Sequence, residues 1–194
     1  MTSTYPPPAN APKTVLVVMG SVRPGRICPK IAAWTIAIGK ETTEFEYELI
    51  DLADWPPPMG DEPGIPALGG YSQEHTRAWS RKIAGADAAV FVTPQYNWGY
   101  PAALKNAIDH LYREWVGKPM VIVSYGGHGG GKCAAQLRQG LEAVKARPLA
   151  TMPGITLSRA IIGGGPFDPE RDFRADKASV QQAFAQLVTA LALG

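Results

Sequence analysis

A chain of 194 residues, 45% hydrophobic and 19% charged, has the length and composition of one globular domain with its own apolar core, which argues against disorder along its whole length. Nineteen Lys and Arg against 17 Asp and Glu leave a net charge of +2, too even for a protein built mainly to coat nucleic acid. Two cysteines, Cys28 and Cys133, cannot form a disulfide scaffold or a four-ligand zinc site, and His75, His110 and His128 share no metal-ligand spacing, so no metal is expected.

Residues 1–13, with Pro6, Pro7, Pro8 and Pro12, read as a disordered or polyproline-like tail ahead of a single domain over residues 14–194. The tail lacks the basic start and apolar stretch of a signal peptide, and no apolar run reaches the roughly 18 residues of a membrane span. The expected location is the cytoplasm, where both thiols stay reduced.

Residues 15–19 (VLVVM) form a short, β-branched, all-apolar run, as a strand buried on both faces requires. The spacing of Ile31, Trp34 and Ile38 predicts a helix over 27–40. Residues 45–52 read as a second strand, with Phe45, Tyr47 and Leu49 alternating against glutamates. Residues 54–71 hold nine prolines and glycines and make a long irregular loop, either a functional segment or a surface excursion. A helix over 72–85 and a strand over 86–93 follow. Pro101 opens a helix over 101–115. Residues 119–124 are a fourth strand and 131–146 a helix; 148–152 begin a fifth strand that 155–162 continue or accompany. Residues 176–193 make a final amphipathic helix through Val180, Phe184, Leu187 and Leu191. Apolar strands alternating with helices imply a three-layer α/β sandwich around a five-stranded parallel sheet, and the doubly wound order 2-1-3-4-5 suits it. Ligands of such folds sit beyond the C-terminal strand ends, where the order reverses.

Three loops meet at that edge. The first, Gly20 to Arg26, precedes a helix. A helix N-terminus favours an anion, Ser21 adds a hydroxyl, and Arg23 and Arg26 add planar donors that match phosphate. Two arginines repel the positive helix end unless an anion lies between them; a capped helix with two solvated arginines is the plainer alternative. The second loop, Thr93 to Pro101, brings Tyr96, Trp98 and Tyr100 for stacking and the amides of Gln95 and Asn97 for a polar edge, though each ring taken alone could simply be buried. The third, Ser124 to Lys132, is glycine-rich, so its backbone can approach a ligand closely, or it is a mobile turn. Residues 126–133 nearly match a nucleotide-hydrolase phosphate loop, but Cys133 stands where the magnesium-binding hydroxyl belongs.

Gly20-Ser21-Val22-Arg23-Pro24-Gly25-Arg26, then Pro94-Gln95-Tyr96-Asn97 running into residues 101–109, then Ser124-Tyr125-Gly126-Gly127, together resemble the NADPH-dependent FMN reductase family. The resemblance implies a flavodoxin-like fold, a bound FMN, NADPH or NADH as co-substrate, and a homodimer or homotetramer. Carried over residue by residue, it implies that Ser21, Arg23 and Arg26 hold the FMN phosphate. Pro94, Gln95, Tyr96 and Asn97 would run along the isoalloxazine ring, with Ser124, Tyr125, Gly126 and Gly127 as the third contacting loop. One position departs: the family usually has glutamate where this chain has Gln95.

The expected activity is therefore hydride transfer from NADPH or NADH through FMN to a small acceptor such as a free flavin, a quinone, an azo compound or a metal oxyanion. No side chain is needed as a catalytic nucleophile. The rivals are a flavodoxin-like electron carrier, which should be markedly acidic, and a nucleotide hydrolase built on Lys132. Neither nucleic acid nor a membrane is an expected partner. Leu104, Ile108, Leu111, Tyr112 and Trp115 form the candidate subunit interface, unless the stripe is core.

Overall fold

The computed structural model describes residues 12–193, so most of the predicted tail lies outside the described residues. Lys13 pairs with Asp87 at 3.0 Å, and the same carboxylate accepts from the Thr14 N–H at 2.8 Å, fixing the entry to the first strand.

β1 (Thr14–Met19) leads to α1 (Cys28–Thr42) and β2 (Glu46–Asp51). A long loop precedes α2 (Glu74–Ala84), β3 (Ala88–Pro94), α3 (Ala102–Asp109), β4 (Pro119–Gly126) and α4 (Gly131–Ala143). Two short strands, β5 (Arg147–Pro148) and β6 (Gly154–Thr156), precede two one-turn helices, α5 (Arg159–Ile162) and α6 (Pro169–Asp172), and the closing helix α7 (Lys177–Ala192). All paired strands are parallel, in the order β2-β1-β3-β4-β5, with β6 also on β4. This is the expected doubly wound, flavodoxin-like sandwich.

The period of two sorts the central strands between two cores. Val15, Val17, Val90, Val92, Val121 and Val123 face α1 and α7; Leu16, Val18, Phe91, Met120 and Ile122 face α2, α3 and α4. β2 departs from its expected phase. Tyr47 packs edge-on against Phe184, but Leu49 is 44% exposed, and Ile50 and Leu52 are buried on the opposite face. An edge strand reaches past the helices that cover it, so alternation alone did not identify its core side.

The fifth strand is two pieces on either side of a detour. β5 pairs with Pro119 and Met120, and β6 with Ser124 to Gly126. Pro148 and Pro153 lack the N–H that a continuous ladder needs. Of residues 155–162, only Ile155 and Thr156 are strand, within β6; the rest turns into α5, which Ser158 caps by accepting from the Ile161 N–H at 3.3 Å.

The predicted helix over 101–115 ends at Asp109, and its candidate interface stripe is core. Leu104, Ile108, Leu111 and Trp115 are each 2% exposed or less, and only Tyr112 reaches the surface in part. The indole N–H groups of Trp79 and Trp115 donate to the carbonyls of Ala107 (2.8 Å) and Ile108 (3.0 Å), satisfying last-turn acceptors that a longer helix would have used. Among the described residues, no helix is long and apolar enough to cross a membrane.

Candidate active site

The loops after β1, β3 and β4 converge where the strand order reverses and border a cleft of about 380 Å³. That volume lies within the usual range of small-molecule sites. Eight of the sequence-predicted residues line it: Arg23, Arg26, Pro94, Gln95, Tyr96, Tyr125, Gly126 and Gly127. Ser21, Asn97 and Ser124 do not.

Ser21 is fully buried, its hydroxyl 2.9 Å from the Tyr96 hydroxyl and accepting from the Arg23 N–H at 3.4 Å. The Arg23 guanidinium lies over the Tyr96 ring, 3.9 Å from its centroid. Ser21 thus clasps the first loop to the second, and Arg23 stacks on the rim.

Arg26 corrects the electrostatic argument made from sequence. The anion beside it is protein: its guanidinium pairs with the Asp51 carboxylate at the end of β2. Parallel register sets Asp51 opposite Met19, immediately before the arginine loop. The Arg26 Nε remains buried with no partner among the described residues. No side chain caps α1, and its first turn holds no acidic residue, so the helix end beside Arg26 keeps its positive character.

Beyond β3, the Gln95 N–H donates to the Tyr125 carbonyl at 2.8 Å, and its side-chain oxygen accepts from the Cys133 N–H at 3.1 Å, in the first turn of α4. Gly130, in the N-cap position of α4, has no side chain, so Gln95 caps it from another loop. Tyr96 and Gly99 exchange two 2.9 Å backbone bonds across Asn97 (φ 48°) and Trp98 (φ 72°). Two central residues with positive φ make a tight primed turn; for tryptophan this is a strained conformation. Asn97 and Trp98 consequently point outward, Trp98 is 64% exposed, and the Lys132 amine sits 4.9 Å from its ring centroid.

Ser124 is also fully buried, and its hydroxyl donates to the Gly129 carbonyl at 3.1 Å, bracing the glycine-rich loop from behind. Burial, reinforced by the neighbouring Cys28, pushes the Tyr125 phenol far above its ordinary range, so it stays neutral. Burial also raises Cys28 and pushes Cys133 up to about 11, which makes both thiols unreactive packing groups. His128 is exposed on the loop.

Sequence reasoning missed the opposite wall. Leu157, Ile161 and Ile162 come from β6–α5, and Ile27 from the start of α1. The signal was available in Ser158 as a cap and Gly163-Gly164-Gly165 as a stop. Arg23 and Arg26 thus make one part of the cleft cationic, with Tyr96 beneath Arg23, and Leu157, Ile161 and Ile162 supply an apolar wall.

The family model for NADPH-dependent FMN reductase matches residues 13–156. The chain belongs to this family. An NAD(P)H-dependent FMN reductase of Schizosaccharomyces pombe is 56% identical over 174 residues, covering 89% of this chain and 87% of the relative. One of Saccharomyces cerevisiae is 49% identical over 140 residues, covering 66% of this chain and 73% of the relative. Among solved structures, the flavoenzyme NAD(P)H:(acceptor) oxidoreductase of Paracoccus denitrificans superposes with a TM-score of 0.68 at 23% identity, covering 92% of this chain and 98% of that one, a likeness of fold. Gln95 serves α4 as an acceptor without bringing a charge.

A charged acceptor in its place should bring a measurable gain. In Gln95→Glu the carboxylate would face the positive end of α4, contributing about 0.5 kcal/mol at pH 7. The helix end and the Cys133 N–H would lower its folded-state pKa below the unfolded value of about 4.3. The gain is then fully present above that value and lost as pH falls through the lower folded one. Urea midpoints at pH 7 and pH 3 check it: higher than wild type at the first, not at the second.

Proposed function

We infer that the chain binds FMN in this cleft and passes hydride from NADPH or NADH through it to a small planar acceptor, such as a free flavin or a quinone. The observation that carries the reading is the cationic part of the cleft. An uncapped 15-residue helix and a buried Arg26 Nε without a partner lie side by side there. A phosphate ester satisfies both. The donors fit the group: Asp51 holds the guanidinium in place, and Arg23 closes the rim.

Bound FMN would supply the hydride-accepting centre. The protein's contribution is position and exclusion. The Tyr96 backbone turn and the Gln95 amide fix the loop along one edge of the cleft. Gly126 lets its loop pack closely on Gln95, where an added Cβ would meet Gln95 Cβ at 3.3 Å, and Gly127 adds no side chain to the lining. Leu157, Ile161 and Ile162 keep one wall dry. Ser21 and Ser124 act as positioning residues behind the contact surface. Exposed Met59, Ile65 and Leu68 on the long loop, 66–77% accessible, are the apolar surface we assign to a homo-oligomer.

The test is an absorption spectrum of purified protein, before and after NADPH under nitrogen. Flavin bands that bleach are the expected result. Bands that persist with NADPH and NADH alike would favour the electron-carrier reading. A colourless protein that takes up no added FMN would overturn the cofactor assignment.

A further inference from the structure

Away from the cleft, the proline- and glycine-rich loop brings together three side chains that sequence spacing keeps apart. Asp61 lies on that loop, His75 in the first turn of α2, and His110 at the C-terminal end of α3. Their donor atoms all lie within 4.8 Å of one another. Asp61 Oδ2 is 3.1 Å from His75 Nε2, and Asp61 Oδ1 is 3.5 Å from His110 Nε2.

The tautomer of His110 is set by its other nitrogen. Nδ1 lies 2.8 Å from the Asn106 carbonyl, which can only accept, so Nδ1 carries the proton. Nε2 is then left facing Asp61. The side chain is 4% exposed, and Nε2 makes no hydrogen bond among the described residues. A buried ring nitrogen without a partner is costly, and an imidazole oriented by a backbone carbonyl through Nδ1 is the usual arrangement of a metal-binding histidine.

We propose that Asp61, His75 and His110 bind a divalent transition-metal ion of the zinc class. Two imidazoles and one carboxylate favour such an ion over calcium or magnesium. In a tetrahedral zinc site with bonds of roughly 2.0–2.1 Å, ligand atoms stand about 3.4 Å apart. Both Asp61–histidine separations are already near that value. The widest separation must close by about 1.4 Å at most, within reach of the partly exposed His75 ring. Water would take the fourth position from the adjoining cleft, where Met59, Gly60 and Pro66 line the approach to His110. The ion would fasten the long loop to α2 and α3.

Chelator-dialysed full-length protein should bind Zn²⁺ at one equivalent in calorimetry, and Co²⁺ should give the intense visible bands of a tetrahedral site. His110→Gln risks the fold, so the deciding variants are His75→Ala and Asp61→Asn, at partly exposed positions. Each should weaken Zn²⁺ binding about tenfold or more and correspondingly shrink the Zn²⁺-dependent rise in melting temperature. His128→Ala should change neither. No saturable binding, or binding that survives both deciding variants, would overturn the site and show Asp61 and His75 to be a simple hydrogen-bonded pair. None of these readouts involves flavin, so a failure here leaves the FMN reading standing, and the reverse.

Discussion

Arg26→Ala is expected to weaken FMN binding by about 10- to 100-fold, the equivalent of about 1.5–3 kcal/mol for a charge-assisted hydrogen bond. The variant also leaves Asp51 without its cation. Both side chains are 19% exposed, so the stability loss lies between that of a surface pair and that of a fully buried one, about 1–2 kcal/mol. A double variant separates the two effects. Arg26→Ala with Asp51→Ala should recover most of the stability and none of the affinity. Arg26→Lys keeps the charge but not the fork, so it cannot serve Asp51 and a phosphate together, and it should fall between wild type and alanine. Flavin retained after dialysis, followed by fluorescence titration of the apoprotein, gives the affinities, and urea unfolding gives the stabilities. Wild-type flavin affinity in Arg26→Ala would show that the phosphate lies elsewhere.

Gly130→Ala is expected to cost about 2–4 kcal/mol, although it adds a single methyl group. Gly130 has φ +73°, and an added Cβ would lie 2.7 Å from Ser124 Cβ and 2.9 Å from the Tyr125 nitrogen. The left-handed conformation costs about 1–2 kcal/mol for an L-residue, and overpacking against β4 adds about as much again. The next residue supplies the control. A Cβ at Gly131 meets nothing within 4 Å and begins α4, so Gly131→Ala should be neutral or slightly stabilising. The urea midpoint of Gly130→Ala should fall well below wild type, and that of Gly131→Ala should lie at or slightly above it. If Gly130→Ala unfolds like wild type, the third loop does not have the close packing that the site requires.

The central sheet was legible because β1, β3 and β4 are buried on both faces and alternate with amphipathic helices, a combination that suits a parallel sheet under two helical layers. β2 was legible as an element but not in phase, since Leu49 alternates correctly and still faces solvent. The spacing predicts too long an α3 because Leu111 and Trp115 continue it after the backbone has left the helix at Asp109. The three site loops could be placed from strand order alone. What their side chains do could not: Ser21, Asn97 and Ser124 have the right types in the right loops, yet two are buried as braces and one points outward. Asp51 was hidden for another reason. It is 25 residues from Arg26, and only the β1–β2 register makes them neighbours. The Asp61, His75 and His110 cluster matches no short spacing because three separate elements contribute to it.

The broken fifth strand bears on how the protein behaves when crowded. An exposed sheet margin offers open backbone groups to any passing chain, and polymerisation begins at such margins. On this side the margin is cut into pieces of two and three residues, with Pro148 in one and Pro153 just before the other. On the far side, β2 presents Glu46 and Glu48, the latter paired with Lys82 at 2.7 Å. Neither margin gives another molecule a long, uncharged row to extend. A sheet whose catalytic end must stay open to solutes is thereby closed along both flanks to copies of itself.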